Sequence, residues 1–275
     1  MSLAFTAFFK KYEAIIGEAD KVFETVKAQS GDRVRCKEGC SDCCHALFDL
    51  TLIEALYVNH HFNSAYSGLE RSRILDRADE ADRAVHKFKR DMFKASQAGT
   101  STEDILREAA RAKVRCPLLD DDDLCALYAR RPVTCRIYGV PTAIGGAAHT
   151  CGRSGFEPGG KYPTVFLDKL QDRLYLLSHE LAGSLQTRYR ELGSVLVPVS
   201  MALLTAYDED YLGLTAPKAE PQPNFAAAAL KETAKGPSKS PECGPCDKDA
   251  SACASCKEKS FSITIGGPDK GGRED

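Results

Sequence analysis

Four cysteines crowd into nine residues in the first part of the chain. The segment CKEGCSDCC contains Cys36, Cys40, Cys43 and Cys44. Thiolates at this density ligate metal, form disulfides or carry out redox chemistry. On a helix, steps of about 100° per residue would place the four sulfurs within roughly a 100° arc. A tight loop around Gly39 would also bring them together, so both geometries predict convergence on one metal or cluster.

A second group of cysteines is spread over the middle of the chain. Its members are Cys116, Cys125, Cys135 and Cys151. Because 71 residues (45–115) separate the two groups, a metal bound by both would close a long loop. Pro117 and Pro132 stiffen turns beside two of these cysteines. Metal binding is therefore expected to contribute to folding as well as to function.

A third group has the pattern C-x2-C-x6-C-x2-C. It consists of Cys243, Cys246, Cys253 and Cys256. Two CxxC pairs are typical of a four-thiolate site, although the gap between them is shorter than that of a zinc ribbon. We interpret the group as a small metal site. A redox-active dithiol and a set of unliganded thiols stay open as alternatives.

Composition limits the partners and the compartment. The 275 residues carry a net charge of −2, so no global field favours nucleic acid or an anionic membrane. No stretch approaches the roughly 20 apolar residues of a membrane span, and the N-terminal segment lacks the pattern of a secretion signal. We therefore expect a cytoplasmic protein. Disulfides are disfavoured there, so the 12 cysteines are interpreted as metal ligands, although their even number also permits disulfides.

Helical periodicity dominates the elements that must position these cysteines. Apolar spacing and capping signals predict helices over 3–27, from Thr51 to about His61, over 68–96, 102–113 and 164–190, and over 199–207. Thr51 and Glu54 have the spacing of a capping box. Residues 114–162 contain many turn residues and predict an irregular, ligand-held segment. No βαβ alternation is present, so we expect a mainly α fold in which helices pack around an irregular, cysteine-ligated metal core.

Composition also predicts how the chain is divided. Residues 1–214 are expected to form the helical metal-binding domain. Residues 215–242 are rich in Pro, Ala and Lys and are interpreted as a flexible linker. Residues 243–275 form a small cysteine-rich tail with a Gly- and Pro-rich end. The third cysteine group is therefore expected to be separable from the first two.

Charged and imidazole side chains flank the cysteines. Arg131 and Arg136 lie on either side of Cys135 and are expected to donate to cofactor sulfur, which would offset its negative charge and tune its potential. The competing interpretation of Arg131 is a helix cap or a surface ion pair. The acidic run 120–123 is interpreted as a solvated turn rather than as a site for a hard cation. His45 and His149 are further candidate ligands, or hydrogen-bonding neighbours of the cysteines.

The first two cysteine groups together resemble the YkgJ-type CxxCxxCC cysteine-cluster family, whose members are described as zinc- or iron-chelating proteins. The family pattern is a four-cysteine cluster followed by C-P-x-L and C-x-I-Y-x-x-R-P-x-x-C-R-x-Y. The chain matches it at Cys36, Cys40, Cys43, Cys44, Cys116, Pro117, Leu119, Cys125, Tyr128, Arg131, Pro132, Cys135, Arg136 and Tyr138. It differs in a first gap that is one residue longer and in Leu127 for Ile, and neither difference removes a cysteine. The resemblance implies a metal site but no particular reaction.

Three classes of function fit these patterns. Eight clustered thiols exceed what one structural zinc needs, so we favour an iron-sulfur protein with a redox or electron-transfer role. The alternative is a zinc-stabilised module that binds a protein partner. An iron-sulfur-dependent protein-modifying enzyme of the lysine N-methylase type is implied only by one branch of the resemblance. The expected ligands are metal ions in each case.

Overall fold

The structure is a computed structural model that describes residues 5–157 and 159–214. In that part of the chain seven α-helices form: α1 (Thr6–Ser30), α2 (Leu52–Ala65), α3 (Gly68–Gln97), α4 (Thr102–Arg111), α5 (Val133–Ile137), α6 (Leu167–Ser184) and α7 (Val199–Leu204). The predicted cysteines at 243, 246, 253 and 256 lie outside the described residues, as do the predicted linker and tail. The mainly α fold class is confirmed.

Helices α1, α2, α5 and α6 enclose the largest apolar core of the described residues. Tyr12 of α1, Ile53 of α2 and Leu181 of α6 are fully buried in it, and Val133 and Ile137 bring α5 into the same core. These residues recur at helical spacing, so each helix presents one apolar face to the others. The cysteine-bearing helix α5 is thereby fixed against the three longer helices.

A second core lies between α2, α3 and α7. Val58 and Phe62 of α2 meet Ile74 of α3 and Leu203 of α7 there. Leu118, which is also buried, belongs to the same core and lies two residues after Cys116. The middle cysteine segment is therefore anchored by apolar packing that needs no metal.

Five short strands complete the described structure. Strands β1 (Asp49–Thr51) and β5 (Leu196–Pro198) pair antiparallel, with Leu50 opposite Val197. Strand β2 (Thr142–Ile144) pairs antiparallel with β3 (Ala147–His149) and parallel with β4 (Val165–Phe166). The first pair joins the chain after the first cysteine group to the chain before α7.

Most predicted helices are present with shifted ends. The capping box of Thr51 and Glu54 is confirmed, but α2 continues four residues beyond the predicted end at His61. Helix α4 begins as expected after Ser101, whose hydroxyl accepts a hydrogen bond from Asp104 N at 3.1 Å. Val22 of α1 is 40% exposed although its apolar side chain lies within the helical pattern of this segment. None of the described helices combines the length and the hydropathy that crossing a bilayer requires.

Helix α6 is shorter than the sequence predicts. The leucine stripe predicted a helix over 164–190, whereas α6 ends at Ser184. Gln186 has a left-handed φ of 50°, which reverses the chain. The returning segment packs so closely on α6 that a Cβ at Gly193 would lie 2.8 Å from the Cα of His179. The reversal, rather than any residue in the stripe, ends the helix.

Candidate metal centre

The first cysteine segment is a loop and not a helix. Gly39 has a φ of 80°, and Cys40 N donates to Lys37 O at 3.0 Å to close a turn. A positive φ favours glycine, because a Cβ there is strained. A single 3-10 turn over Asp42–His45 then follows and carries Cys43 and Cys44, which are both buried. The loop geometry considered for this segment is therefore the one observed.

Cys116 and Cys125 lie at the two ends of a small hairpin. Leu119 pairs antiparallel with Cys125, and Ala126 N donates to Leu118 O at 2.8 Å. The acidic run forms the tip, where Asp120 Oδ1 accepts hydrogen bonds from the backbone at Asp122 and Leu124, at 3.0 Å and 2.8 Å. The hairpin holds the two thiols near one another. These hydrogen bonds of the acidic tip are made within the tip and involve no cysteine.

A backbone hydrogen bond joins the hairpin to the first segment. Cys116 N donates to Cys44 O at 2.7 Å, and Val114 N donates to His45 O at 3.1 Å. Ala46 and Lys113 pair beside these bonds. Two cysteines that are 72 positions apart in sequence are thus held side by side by the main chain.

Cys135 is positioned by α5. The first helical N–H, at Val133, donates to the buried carboxylate of Glu54 at 3.1 Å. Arg136 pairs with Asp20 of α1 at 2.7 Å, and its Nε donates to Arg131 O at 2.8 Å. These bonds tie α5 to α1 and α2, so the thiol of Cys135 is presented from a fixed helix.

Cys151 is brought to the first segment by a separate loop. Gly155 N donates to Arg33 O at 2.8 Å, which fixes this loop beside the residues before Cys36. The Cys151 thiol donates to the Asp42 carboxylate at 3.2 Å, and Arg153 N donates to the Cys151 sulfur at 3.4 Å.

The cysteines line two small cavities. The first, the five-cysteine cavity, has a volume of about 50 Å³ and is lined by Cys43, Cys44, Cys116, Cys125 and Cys135. The second, the four-cysteine cavity, has a volume of about 10 Å³ and is lined by Cys36, Cys40, Cys43 and Cys151. All eight described cysteines line one or other cavity, and Cys43 lines both. Within the described residues none of them forms a disulfide.

Cys43 is the most acidic thiol of the set. Hydrogen bonds from the thiols of Cys135 and Cys44 lower its pKa. The pKa of Cys44 is raised mainly by its hydrogen bond to Cys43 and secondly by burial. The pKa of Cys135 is raised for the same two reasons. The sulfurs of Cys43 and Cys44 lie 3.9 Å apart. The arrangement therefore favours one thiolate held by two neighbouring thiols.

Burial penalises the charged forms of four further thiols, those of Cys36, Cys116, Cys125 and Cys151. Burial raises the pKa of Cys116 to about 12 and that of Cys151 to about 11. Backbone N–H groups oppose this effect, from Leu118 at Cys116 and from Leu127 at Cys125. Desolvated sulfurs that receive backbone N–H groups are the environment of metal-bound thiolates.

The two arginines singled out from the sequence have different positions. Arg131 lines the five-cysteine cavity, its guanidinium stacks 3.7 Å from the ring centre of Tyr128, and its charge lowers the pKa of Cys43 and Cys125. Arg136 does not line that cavity. It binds Asp20 and the carbonyls of Ala129 and Arg131, so it supports the backbone of Arg131.

The two candidate histidines have surroundings other than the cysteine cavities. His45 Nδ1 is 3.0 Å from Ser41 O. His149 is exposed on β3 and lines a wider cleft of about 470 Å³, which Glu54 and Tyr138 also line. Among the described residues, neither histidine lines either cysteine cavity.

The donor set suits a thiophilic metal. Of the described residues that line the five-cysteine cavity, none is Asp or Glu, so hard cations such as Mg²⁺ or Ca²⁺ find no oxygen ligands there. Over residues 5–157 and 159–214, no three His, Cys, Asp or Glu side chains are already close enough together to hold one ion. Ligation therefore requires cysteine side chains to rotate toward the metal, which staggered rotamers allow.

Several neighbours of the thiols were not singled out from the sequence. Asp42 accepts from Cys151, and Arg35 and Arg153 line the four-cysteine cavity. Gly139 passes so close to Cys36 that a Cβ there would lie 2.3 Å from the Cys36 Cβ. The signal for Gly139 was its place directly after the C-R-x-Y motif, and that for Asp42 was its place inside the cysteine cluster.

Comparison with known proteins agrees with this geometry. Residues 35–152 match the model of the CxxCxxCC family, described as a "Putative zinc- or iron-chelating domain". The matched range begins just before Cys36 and ends just after Cys151, so it covers all the cysteines that line the two cavities. No curated protein and no solved structure matches the chain significantly. The match supports a metal-binding cysteine-cluster protein.

Proposed function

We propose that the chain is an iron-sulfur protein with a redox or electron-transfer role, and that its cluster binds in the five-cysteine cavity. Cys43, Cys44, Cys116, Cys125 and Cys135 are the proposed ligands. The observation that carries the proposal is that five thiols from three segments line one cavity. A structural zinc takes four ligands, whereas iron-sulfur proteins supply thiolates to several irons at once.

The electrostatics of the cavity support the proposal. A cluster held by four thiolates carries net negative charge, and three arginines line this cavity. Arg130 is paired with Glu13 at 3.1 Å and Arg115 with Asp121 at 3.7 Å. Within the described chain Arg131 has no ion-pair partner, so its charge is directed at the thiols. Its charge and the backbone N–H groups at the sulfurs are features that tune cluster potential.

Anaerobic purification of the full chain tests the proposal. We expect a brown protein with broad visible absorption that bleaches on reduction, together with iron and acid-labile sulfide. Cys125→Ser should lose both. Asp122→Asn, at the exposed tip of the same hairpin, is the matched control and should keep both. A colourless protein that contains zinc and no sulfide would refute the iron-sulfur version.

That result would favour the zinc-stabilised module instead. One distance supports this second candidate: the 3.9 Å between the sulfurs of Cys43 and Cys44 is close to the edge of a zinc-thiolate tetrahedron, about 3.8 Å for Zn–S bonds of about 2.3 Å. In that version the metal would act by joining the hairpin to the first segment, and function would lie in binding a partner.

A further inference from the structure

We propose that the four-cysteine cavity is a second metal site, which takes a single thiophilic ion such as Zn²⁺ and shares Cys43 with the five-cysteine cavity. The inference rests on the proposed function and extends it from one centre to two. The chain would then hold two different centres joined by one sulfur.

The first observation is that the thiols divide between the two cysteine cavities. Of the two cysteine cavities, the five-cysteine cavity alone is lined by Cys44, Cys116, Cys125 and Cys135. The four-cysteine cavity alone is lined by Cys36, Cys40 and Cys151. The second set has three sulfurs of its own and reaches the four of a tetrahedral site only with Cys43. Cys43 also contacts Cys44 in the first set, at 3.9 Å, so its sulfur lies between both.

The size of the cavity indicates a single ion. Its volume of about 10 Å³ is that of one water-sized sphere. The five-cysteine cavity is about five times larger, at about 50 Å³. A cluster of several irons and sulfides does not fit the smaller space, whereas one ion surrounded by sulfur does.

Charge and framework indicate a built site. Four thiolates around Zn²⁺ carry a net charge of about −2, and the two cationic side chains Arg35 and Arg153 line the cavity. The N–H of Arg153 already donates to the sulfur of Cys151 at 3.4 Å. The bond from Gly155 N to Arg33 O, at 2.8 Å, holds the two contributing loops together.

The carboxylate of Asp42 is the competing partner of Cys151. It accepts the thiol proton at 3.2 Å, which on its own would describe a protonated thiol in a polar contact. Metal binding would release that proton to solvent and replace this hydrogen bond with a metal–sulfur bond. Asp42 is also 3.9 Å from Arg153, so its charge is balanced within the site.

Metal analysis of cysteine variants of the full chain tests the inference. Iron, sulfide and zinc are measured per chain after anaerobic purification, as differences from the wild type, so that other zinc-binding cysteines cancel. Cys151→Ser and Cys36→Ser should each lose one zinc and keep iron and sulfide. Cys125→Ser should lose iron and sulfide and keep that zinc. Cys43→Ser should lose both.

Unchanged zinc content in Cys151→Ser and Cys36→Ser would overturn the second site. Loss of all metal in every variant would also overturn it, because that result indicates a single centre. Cys43→Ser that empties only one cavity would overturn the sharing. A wild type without iron would refute the iron-sulfur function alone. In that case, if Cys151→Ser lost one zinc and kept the metal of the other centre, the existence of two sites would still be supported. Helical circular dichroism like that of the wild type shows that each variant is folded.

Discussion

Gly139 is the point of closest approach between the motif after α5 and the first cysteine segment. A Cβ at this position would lie 2.3 Å from the Cβ and 3.0 Å from the sulfur of Cys36. Its neighbour on that side is the ligand candidate itself, so the side chain cannot be accommodated without moving Cys36. The glycine is explained by this contact and not by an unusual φ.

We therefore expect Gly139→Ala to displace Cys36, to lower metal content and to destabilise the chain by about 1–3 kcal/mol, the usual cost of overpacking. Gly152→Ala is the matched control, because a Cβ at Gly152, beside Cys151, meets nothing within 4 Å. Metal analysis and thermal unfolding measure both effects. Equal behaviour of the two variants would contradict the close contact.

Glu54 is a buried carboxyl group at the junction of α1, α2 and α5. It accepts hydrogen bonds from Thr51 N at 3.2 Å, from Val133 N at 3.1 Å and from the Tyr12 hydroxyl at 3.4 Å. Burial nevertheless raises its pKa above the ordinary value of 4.5. The folded chain therefore holds a proton on Glu54 at pH values where the unfolded chain has released it.

The pH dependence of stability follows from this direction. The contribution of Glu54 is fully present below about pH 4.5, where both states are protonated, and is lost as pH rises through the raised folded pKa. We expect the unfolding free energy of the wild type, relative to Glu54→Gln, to fall across that range. Denaturant titrations at several pH values measure the difference.

At the scale of elements, α5 is a five-residue helix that depends on its surroundings. A helix this short is not stable alone. Arg136 supports it, with a side chain only 9% exposed that reaches Asp20 of α1 and two backbone carbonyls. The position of Cys135 therefore depends on contacts made by its neighbour in sequence.

We expect Arg136→Ala to lower the unfolding free energy by about 1.5–3 kcal/mol, because it removes the hydrogen bonds of a charged guanidinium that is only 9% exposed. Arg136→Lys should recover part of the loss, since lysine keeps the charge but not the fork of donors. Arg173→Ala is the control: Arg173 also pairs with an acid of α1, Glu18 at 2.6 Å, but on the surface, and should cost at most about 1 kcal/mol. Denaturant unfolding compares the three. A larger loss in the control would contradict this account.

Elements with strong local signals were predictable, and those fixed by distant contacts were not. The capping box at Thr51 and the stripe of α6 lie within single segments. Helix α5 and strands β2 and β3, by contrast, fall inside the range 114–162 predicted to be irregular. They are short, and two of their partners, Glu54 for α5 and β4 for β2, lie outside that range. Strand β3 pairs with the neighbouring β2 across Gly145 and Gly146.

At the scale of the whole molecule, the chain divides into the units Met1–Lys218 and Ala219–Asp275. All residues of the two cysteine cavities belong to the first unit. We expect truncation after Lys218 to leave that unit folded, with its metal bound. Circular dichroism and metal analysis of the truncated chain check this. Loss of metal from the first unit would mean that cysteines of the second unit complete its site.

The sequence identified the cysteines but not their division into two sets. Spacing groups Cys36, Cys40, Cys43 and Cys44 together, whereas in the fold Cys44 faces the hairpin cysteines and Cys36 faces Cys151. That division depends on the 3-10 turn at Asp42–His45 and on the loop bond from Gly155 to Arg33. Neither has a signal within the cysteine motif itself.

Contacts between distant cysteines, such as the hydrogen bond from Cys116 N to Cys44 O, can form only after the later cysteines have been synthesised. A ribosome makes the first four cysteines early and must add 107 more residues (45–151) before the last partner exists. At about 5–20 residues per second that wait is roughly 5–20 s. During this interval the early thiols lack the neighbours that enclose them in the folded chain. The nascent protein is therefore most exposed to oxidation, and to capture of the wrong ion, while it is still being made.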